Sequence, residues 1–195
     1  MNTDQNRCME ALAPVLLEAH ECWHRAMETY QSYPPLALAQ HDDRAAASSL
    51  HAHMWMELQA AFAETAGVAL LEVRGLHLMN VGDKVVCRFK KVDQGGNSVT
   101  HPSQQQEDFD RQLSIPGLPQ AATRLTFGYQ PDAAFSAIER VLVSCQMGKT
   151  ILWCAQVNNV EAAAVWEDIT PRRLEGTGRV IAYKERKTGS RDGSN

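Results

Sequence analysis

The sequence predicts an α+β protein in which a mostly antiparallel sheet of four to five strands packs against two N-terminal helices. Three observations support this fold class. The first part of the chain repeats its apolar residues every three or four positions, as amphipathic helices do. The middle part alternates apolar and polar residues, as half-buried strands do. Segments rich in glycine, proline and polar residues separate the strand candidates, as turns do.

Two helices are predicted first. The first spans roughly residues 3–30, and Pro34-Pro35 ends it. The second runs from about Asp42 to Ala66, with an acidic start and with Gly67 as its stop signal. One stripe of the first helix collects its apolar side chains, namely Leu12, Leu16, Ala19, Trp23, Ala26 and Tyr30. The short proline-containing link predicts that the two helices are antiparallel.

The strands are predicted after Gly67. Their ranges are Val68–Arg74, Lys84–Val92, Thr123–Tyr129, Ile138–Cys145 and Thr150–Val157. A short helix is expected from Ser103, which has capping-box spacing to Gln106. The alanine-rich segment Val160–Glu167 favours another short helix, and Arg179–Tyr183 favours an edge strand.

The chain of 195 residues predicts one domain, because about 100–200 residues is the usual domain size. We expect this domain to cover residues 1–183, with a helical hairpin over 1–66 and a sheet region over 67–183. Residues 184–195 are polar and are expected to form a disordered tail, since they have no apolar surface to offset the entropy of ordering.

Composition restricts the class of protein. The net charge of −4 would repel a polyanion over most of the surface, so any nucleic-acid contact would be local. The five cysteines form no C-x-x-C pair, which is typical of a reducing compartment. No apolar run approaches the roughly 18 residues of a membrane span, and no signal layout is visible. We therefore expect a cytoplasmic protein with no membrane association.

One string matches a known chemical device. His20-Glu21-Cys22-Trp23-His24 has the H-E-x-x-H pattern, in which two imidazoles one helical turn apart bind zinc and the glutamate acts on the bound water. The residues before His20 are too few for the sheet that normally precedes this helix in zinc peptidases, and the charged Glu18 and Arg25 flank the string. We therefore expect the two histidines to border the apolar stripe, with no metal bound. The alternative is a zinc-dependent hydrolase.

A second candidate surface is cationic. Lys84, Arg88, Lys90 and Lys91 occupy one predicted strand, and a glycine-containing polar loop follows them. Outward-pointing cations beside such a loop would contact phosphates. Lysines that prevent two sheet edges from pairing are the other interpretation.

Several short strings indicate a family resemblance. They are Arg88-Phe89-Lys90-Lys91-Val92-Asp93, Gln105 with Phe109, Gln112-Leu113, Pro116-Gly117-Leu118-Pro119, Phe127-Gly128-Tyr129 and the hairpin that ends at Trp153. Over residues 70–157 this layout resembles small uncharacterised bacterial and phage-borne proteins encoded beside helix-turn-helix regulators, some of which carry a zinc-peptidase-like domain.

The resemblance implies a non-enzymatic accessory protein of a toxin–antitoxin or phage-defence module, without a cofactor. Its expected partner is a protein regulator, such as an antitoxin, or a nucleic acid. The candidate contact residues are Arg88, Lys90, Lys91, Gln105, Gln112 and Tyr129. A homodimer through the helix pair is a further hypothesis, because Trp55 lies off the main stripe of its helix and needs cover.

Overall fold

The computed structural model describes residues 3–99 and 103–171. It has an α+β fold with a seven-stranded sheet, in the order β1-β2-β3-β4-β5-β6-β7. The predicted fold class is confirmed, whereas the predicted number of four to five strands is too low. The expected edge strand Arg179–Tyr183 and the expected tail from Lys184 lie outside the described residues.

The helices occupy the N-terminal part of the chain. Helix α1 (Gln5–Gln31) begins at Asp4, whose side chain accepts a hydrogen bond from the Arg7 N–H at 3.0 Å. The short helix α2 (Pro35–Gln40) lies in the expected proline-containing link. Helix α3 (Asp43–Phe62) begins at Asp42, whose side chain accepts from the Ala45 N–H at 2.7 Å. These side-chain caps bind N–H groups that have no partner within the helix.

Strands β1 (Val68–Val73), β2 (Leu76–Val81) and β3 (Val85–Lys91) form an antiparallel meander. Val73 pairs with Leu76, so Arg74 and Gly75 alone form the turn, with φ angles of 51° and 73°. Two residues with positive φ form a turn whose twist matches that of the flanking strands of a hairpin. Arg-Gly is a weaker turn signal than Asn-Gly, and this explains why sequence patterning missed β2.

The second antiparallel meander contains β4 (Thr123–Pro131), β5 (Ile138–Met147), β6 (Thr150–Val160) and β7 (Ala163–Asp168). It joins the first meander through one parallel pair, β3 with β4. The crossover between them includes helix α4 (Gln104–Asp110), whose capping box of Ser103 and Gln106 agrees with the sequence prediction.

The two faces of the sheet are covered differently. Helices α1 and α3 pack on one face, where Trp23 lies 4.4 Å from the Tyr129 ring and 6.2 Å from the Phe89 ring, between centroids. On the other face, Phe109 of α4 and Leu118 of the crossover pack on Val86. Among the described helices, none combines the length and hydropathy that crossing a lipid bilayer requires.

Candidate functional site

A cleft of about 520 Å³ lies between the N-terminal half of α3 and the end of β3. We call it the α3–β3 cleft. Its volume is in the range of small-ligand sites, about 300–1,000 Å³. Its lining residues are Asp43, Arg44, Ala47, Ser48, His51, Phe89, Lys90, Lys91, Val99 and Tyr129.

Residues of α3 form the first wall of the cleft. Arg44, Ser48 and His51 are separated by four and three residues, so they lie on one side of α3. The side chain of Asp42 fixes where this helix begins, because it caps the Ala45 N–H. The polar side chains of this wall are therefore held by a regular, capped element.

The end of β3 supplies the second wall and most of its charge. Burial lowers the pKa of the Lys90 ammonium, and the nearby Arg88 guanidinium lowers it further. No carboxylate of the described residues lies within 4.0 Å of Lys90. The Lys91 Nζ lies 4.0 Å from the Asp43 Oδ2. The residues that line the cleft therefore include three cationic ones, Arg44, Lys90 and Lys91, and one acidic one, Asp43.

His51 supplies a neutral hydrogen-bonding group. Its Nε2 lies 3.2 Å from the His77 Nδ1, and the His77 ring stacks on Trp55 at 4.4 Å between centroids. Burial, followed by the charges of His77 and Lys90, lowers the pKa of His51 to about 4. The ring is therefore uncharged at neutral pH.

Tyr129 lines the cleft from the sheet. Its side chain is 1% exposed, and its ring packs 4.4 Å from that of Trp23. Burial raises the pKa of its hydroxyl, which therefore stays protonated. Within the described part of the chain this hydroxyl has no hydrogen-bond partner. Buried polar groups are normally paired, but this hydroxyl has almost no accessible surface through which a ligand in the cleft could reach it.

A second cleft, of about 470 Å³, adjoins the first. We call it the Phe135 cleft, since the Lys91 Nζ lies 5.2 Å from the centroid of the Phe135 ring. Asp43 and Lys91 line both clefts, which therefore meet at this pair of residues. Tyr30, His41, Asp42 and Asp132 also line the Phe135 cleft.

Three of the six contact residues expected from the sequence line the α3–β3 cleft, namely Lys90, Lys91 and Tyr129. Gln105 lies half-buried on α4 and does not line it. Arg88 and Gln112 are buried instead. The expectation that Arg88 points outward is therefore wrong.

Arg88 is held inside by a set of matched contacts. Its Nη2 lies 2.6 Å from the Asp110 Oδ1, and its Nε donates to the Thr126 Oγ1 at 3.0 Å. Its guanidinium also lies 5.1 Å from the centroid of the Phe109 ring. A buried charge needs such pairing, and α4 supplies most of it.

The Gln112 side chain is also held by hydrogen bonds within the protein. Its Nε2 donates to the backbone oxygens of Arg124 and Gln146, at 2.7 and 3.1 Å. Its Oε1 accepts from the Arg124 N–H at 2.8 Å. These bonds fasten the end of the α4 segment to the sheet, so the Gln112 side chain is occupied.

Sequence patterning missed the α3 side of the cleft. Arg44, Ser48 and His51 are ordinary residues on the polar side of a helix, and no motif marks them. The packing of α3 against the end of β3 brings them to one cleft. The adjacent opposite charges of Asp43 and Arg44, just at the predicted helix start, were a weak signal.

The H-E-x-x-H string is on α1, as predicted. The His20 Nδ1 lies 3.2 Å from the Glu21 Oε1, and the same oxygen accepts from the Asn159 Nδ2 at 2.9 Å. Burial opposes ionisation of Glu21, but the hydrogen bonds from Asn159 and His20 outweigh it and lower its pKa. The described residues contain no group of three side chains that could hold a metal ion. In this arrangement Glu21 connects α1 to β6.

The cysteines do not provide a reactive group. All five are buried. Burial raises the pKa of Cys22, Cys145 and Cys154 to about 12, so their thiols remain protonated at neutral pH. A protonated, buried thiol is a poor nucleophile.

Comparison with known protein families, with curated proteins and with solved structures finds no match to this chain.

Proposed function

We propose that this protein acts by binding and not by chemistry, and that the α3–β3 cleft receives an acidic segment of a partner protein. The observation that carries the proposal is the grouping of Arg44, Lys90 and Lys91 around one cleft. Cations in a partly desolvated cleft attract a carboxylate.

The polar groups of the cleft do not form a catalytic pair. His51 contacts His77, not Ser48, and within the described residues no base forms a hydrogen bond with the Ser48 hydroxyl. The His51 pKa of about 4 also makes it a weak base at neutral pH. Recognition is therefore the better-supported role of these side chains.

A protein partner fits better than a nucleic acid. The aromatic rings of Phe89 and Tyr129 are each 1% exposed, so bases could not stack on them. The regulator of a mobile-element module, expected from the family resemblance, is the kind of partner that we propose.

The test is a titration with a simple acidic probe. N-acetyl-tetraglutamate and a four-nucleotide oligothymidylate are added separately to isotope-labelled protein, and amide chemical shifts are followed. We expect tetraglutamate to shift resonances of the cleft residues and to bind more tightly than the oligonucleotide. The variant R44E/K91E should weaken tetraglutamate binding by about tenfold or more, because two attractive contacts become repulsive.

The matched control is K84E/K149E, which reverses two exposed charges that do not line the cleft. It should bind tetraglutamate within about twofold of the unmodified protein. Absence of tetraglutamate binding, equal weakening by both double variants, or tighter binding of the oligonucleotide would contradict the proposal. Circular dichroism establishes that each variant is folded.

A further inference from the structure

We infer that the bound segment carries a basic side chain as well as an acidic one, and that Asp43 binds the basic group. This inference rests on the proposed function of the α3–β3 cleft and names the chemistry of its partner. A segment of mixed charge would place its carboxylate among the cations of that cleft and its ammonium or guanidinium group toward the Phe135 cleft.

The first argument is the loose ion pair where the two clefts meet. The Asp43 Oδ2 and the Lys91 Nζ are 4.0 Å apart, and the Asp43 side chain is 97% exposed. Exposed pairs of this kind contribute at most about 1 kcal/mol. A ligand with both charges can replace this one weak contact by two contacts of better geometry, at little cost to the fold.

The second argument is that no hydrogen bond within the described residues holds the Asp43 carboxylate. Asp42, not Asp43, caps α3. Asp43 lies in the first turn of the helix, with its side chain directed to solvent beside the cleft. A carboxylate at the cleft would oppose a purely acidic ligand, whereas it favours a ligand that brings a cation.

The third argument comes from the Phe135 cleft. The Lys91 ammonium already lies over the Phe135 ring, 5.2 Å from its centroid, so this ring face accepts a cation. The Tyr30 and His41 rings and the carboxylates of Asp42 and Asp132 line the same cleft. When Lys91 turns toward a ligand carboxylate, the ring face and Asp43 become available to the ligand's basic group.

Chain geometry sets the spacing of the two charges. Side chains two residues apart in an extended segment point to the same side, with a rise of about 3.3 Å per residue. An acidic and a basic residue at positions i and i+2 can therefore enter adjoining clefts together.

The test compares two blocked peptides, N-acetyl-Glu-Gly-Lys-amide and N-acetyl-Glu-Gly-Gln-amide, by titration of isotope-labelled full-length protein. We expect the lysine peptide to bind about threefold more tightly, the size of effect that an exposed ion pair gives. In D43N this preference should fall to about one, while the glutamine peptide binds at least as well as before. In the control E139Q, which alters an exposed carboxylate outside both clefts, the threefold preference should remain.

The outcomes separate the two proposals. If both peptides bind equally to the unmodified protein, or if D43N keeps the preference, the inference about Asp43 is wrong while the cleft remains an acidic-segment site. If neither peptide shifts the resonances of cleft residues, the proposed function itself fails.

Discussion

At the residue scale, the contacts of a charged side chain decide whether it serves the fold or a ligand. Arg88 and Lys90 are two residues apart on β3, yet Arg88 pairs with Asp110 whereas no described carboxylate pairs with Lys90. The sequence places both in one cationic run and does not distinguish them. The position of α4, which is set by the crossover between two strands, makes the difference.

Arg88→Ala should lower the free energy of unfolding by about 3–5 kcal/mol, because it leaves the Asp110 carboxylate buried without its partner. Urea unfolding followed by circular dichroism measures this change. The double variant R88M/D110L should recover most of the loss, since it removes both charges. A loss below about 1 kcal/mol for Arg88→Ala would show that the pair contributes little.

His51 should make stability depend on pH. Its pKa is lowered from 6.5 to about 4 in the folded protein, chiefly by burial, so the unfolded chain binds the proton more tightly. The free energy of unfolding is therefore highest well above pH 6.5 and decreases as the pH falls toward 4, because the unfolded chain then binds a proton that the folded protein does not. Between these two pH values the free energy of unfolding should decrease by about 2 kcal/mol less in H51Q than in the unmodified protein. Urea unfolding measures both decreases. Parallel curves for the two proteins would contradict this assignment.

At the scale of the elements, turn conformation explains the main errors of sequence prediction. Glu161 and Ala162 have φ angles of 49° and 62° and form the turn between β6 and β7. Neither residue favours the left-handed region, and the surrounding alanines favour a helix. The expected helix Val160–Glu167 is therefore wrong: Val160 ends β6, and β7 begins at Ala163, because pairing with β6 outweighs local preference.

Other elements were predictable because local and tertiary preferences agree. The stripe of α1 is the stripe that is buried, and α3 begins after Asp42 as expected. The helix ends at Phe62, however, and not at Ala66 as the sequence predicted. The capping box of α4 is visible in the sequence as Ser103 and Gln106. Periodicity and capping residues thus predict most of the helices. The strands bounded by unusual turns could not be predicted from the sequence.

One element-scale prediction concerns the close approach of β4 to the residue after β3. A Cβ atom at Gly128 would lie 2.6 Å from the Val92 Cγ1 and 2.7 Å from the Val92 Cγ2. Gly128→Ala should therefore destabilise the protein by about 1–3 kcal/mol through overpacking. Thermal or urea unfolding provides the measurement.

The double variant G128A/V92A tests the cause, because it removes the two methyl groups. We expect G128A to cost less in the V92A background than in the unmodified protein, with a coupling energy of about 1 kcal/mol or more. Gly95→Ala is the control, since its nearest neighbour would lie at 3.4 Å. Additive effects of G128A and V92A would exclude the proposed clash.

At the scale of the whole molecule, local sequence patterns do not predict how distant segments pack together. Alternation in the sequence indicates strands, but not that β3 and β4 pair in parallel across a crossover. For the same reason the sequence could place Lys90 and Lys91 on a strand, but could not bring α3 beside them. Half of the candidate site was predictable as a basic strand, and its helical half was not.

Trp55 bears on the homodimer hypothesis, which remains a prediction. Its ring stacks on His77 of the same chain at 4.4 Å between centroids and is half-buried, so a second copy is not needed to cover it. We expect Trp55→Glu to lower the free energy of unfolding by about 1–2 kcal/mol through loss of the stack. An unchanged sedimentation mass would argue against the dimer interface. A decrease in mass would support a dimer through this helix.

The single parallel pair also has a consequence for the time course of folding. Each antiparallel meander consists of strands joined by short turns, whose contacts are local and form quickly. The β3–β4 pair requires closure of the long crossover over residues 92–122, which adds an entropic barrier. We expect the two meanders to gain structure before they join, so the slowest folding step is the meeting of two preformed halves.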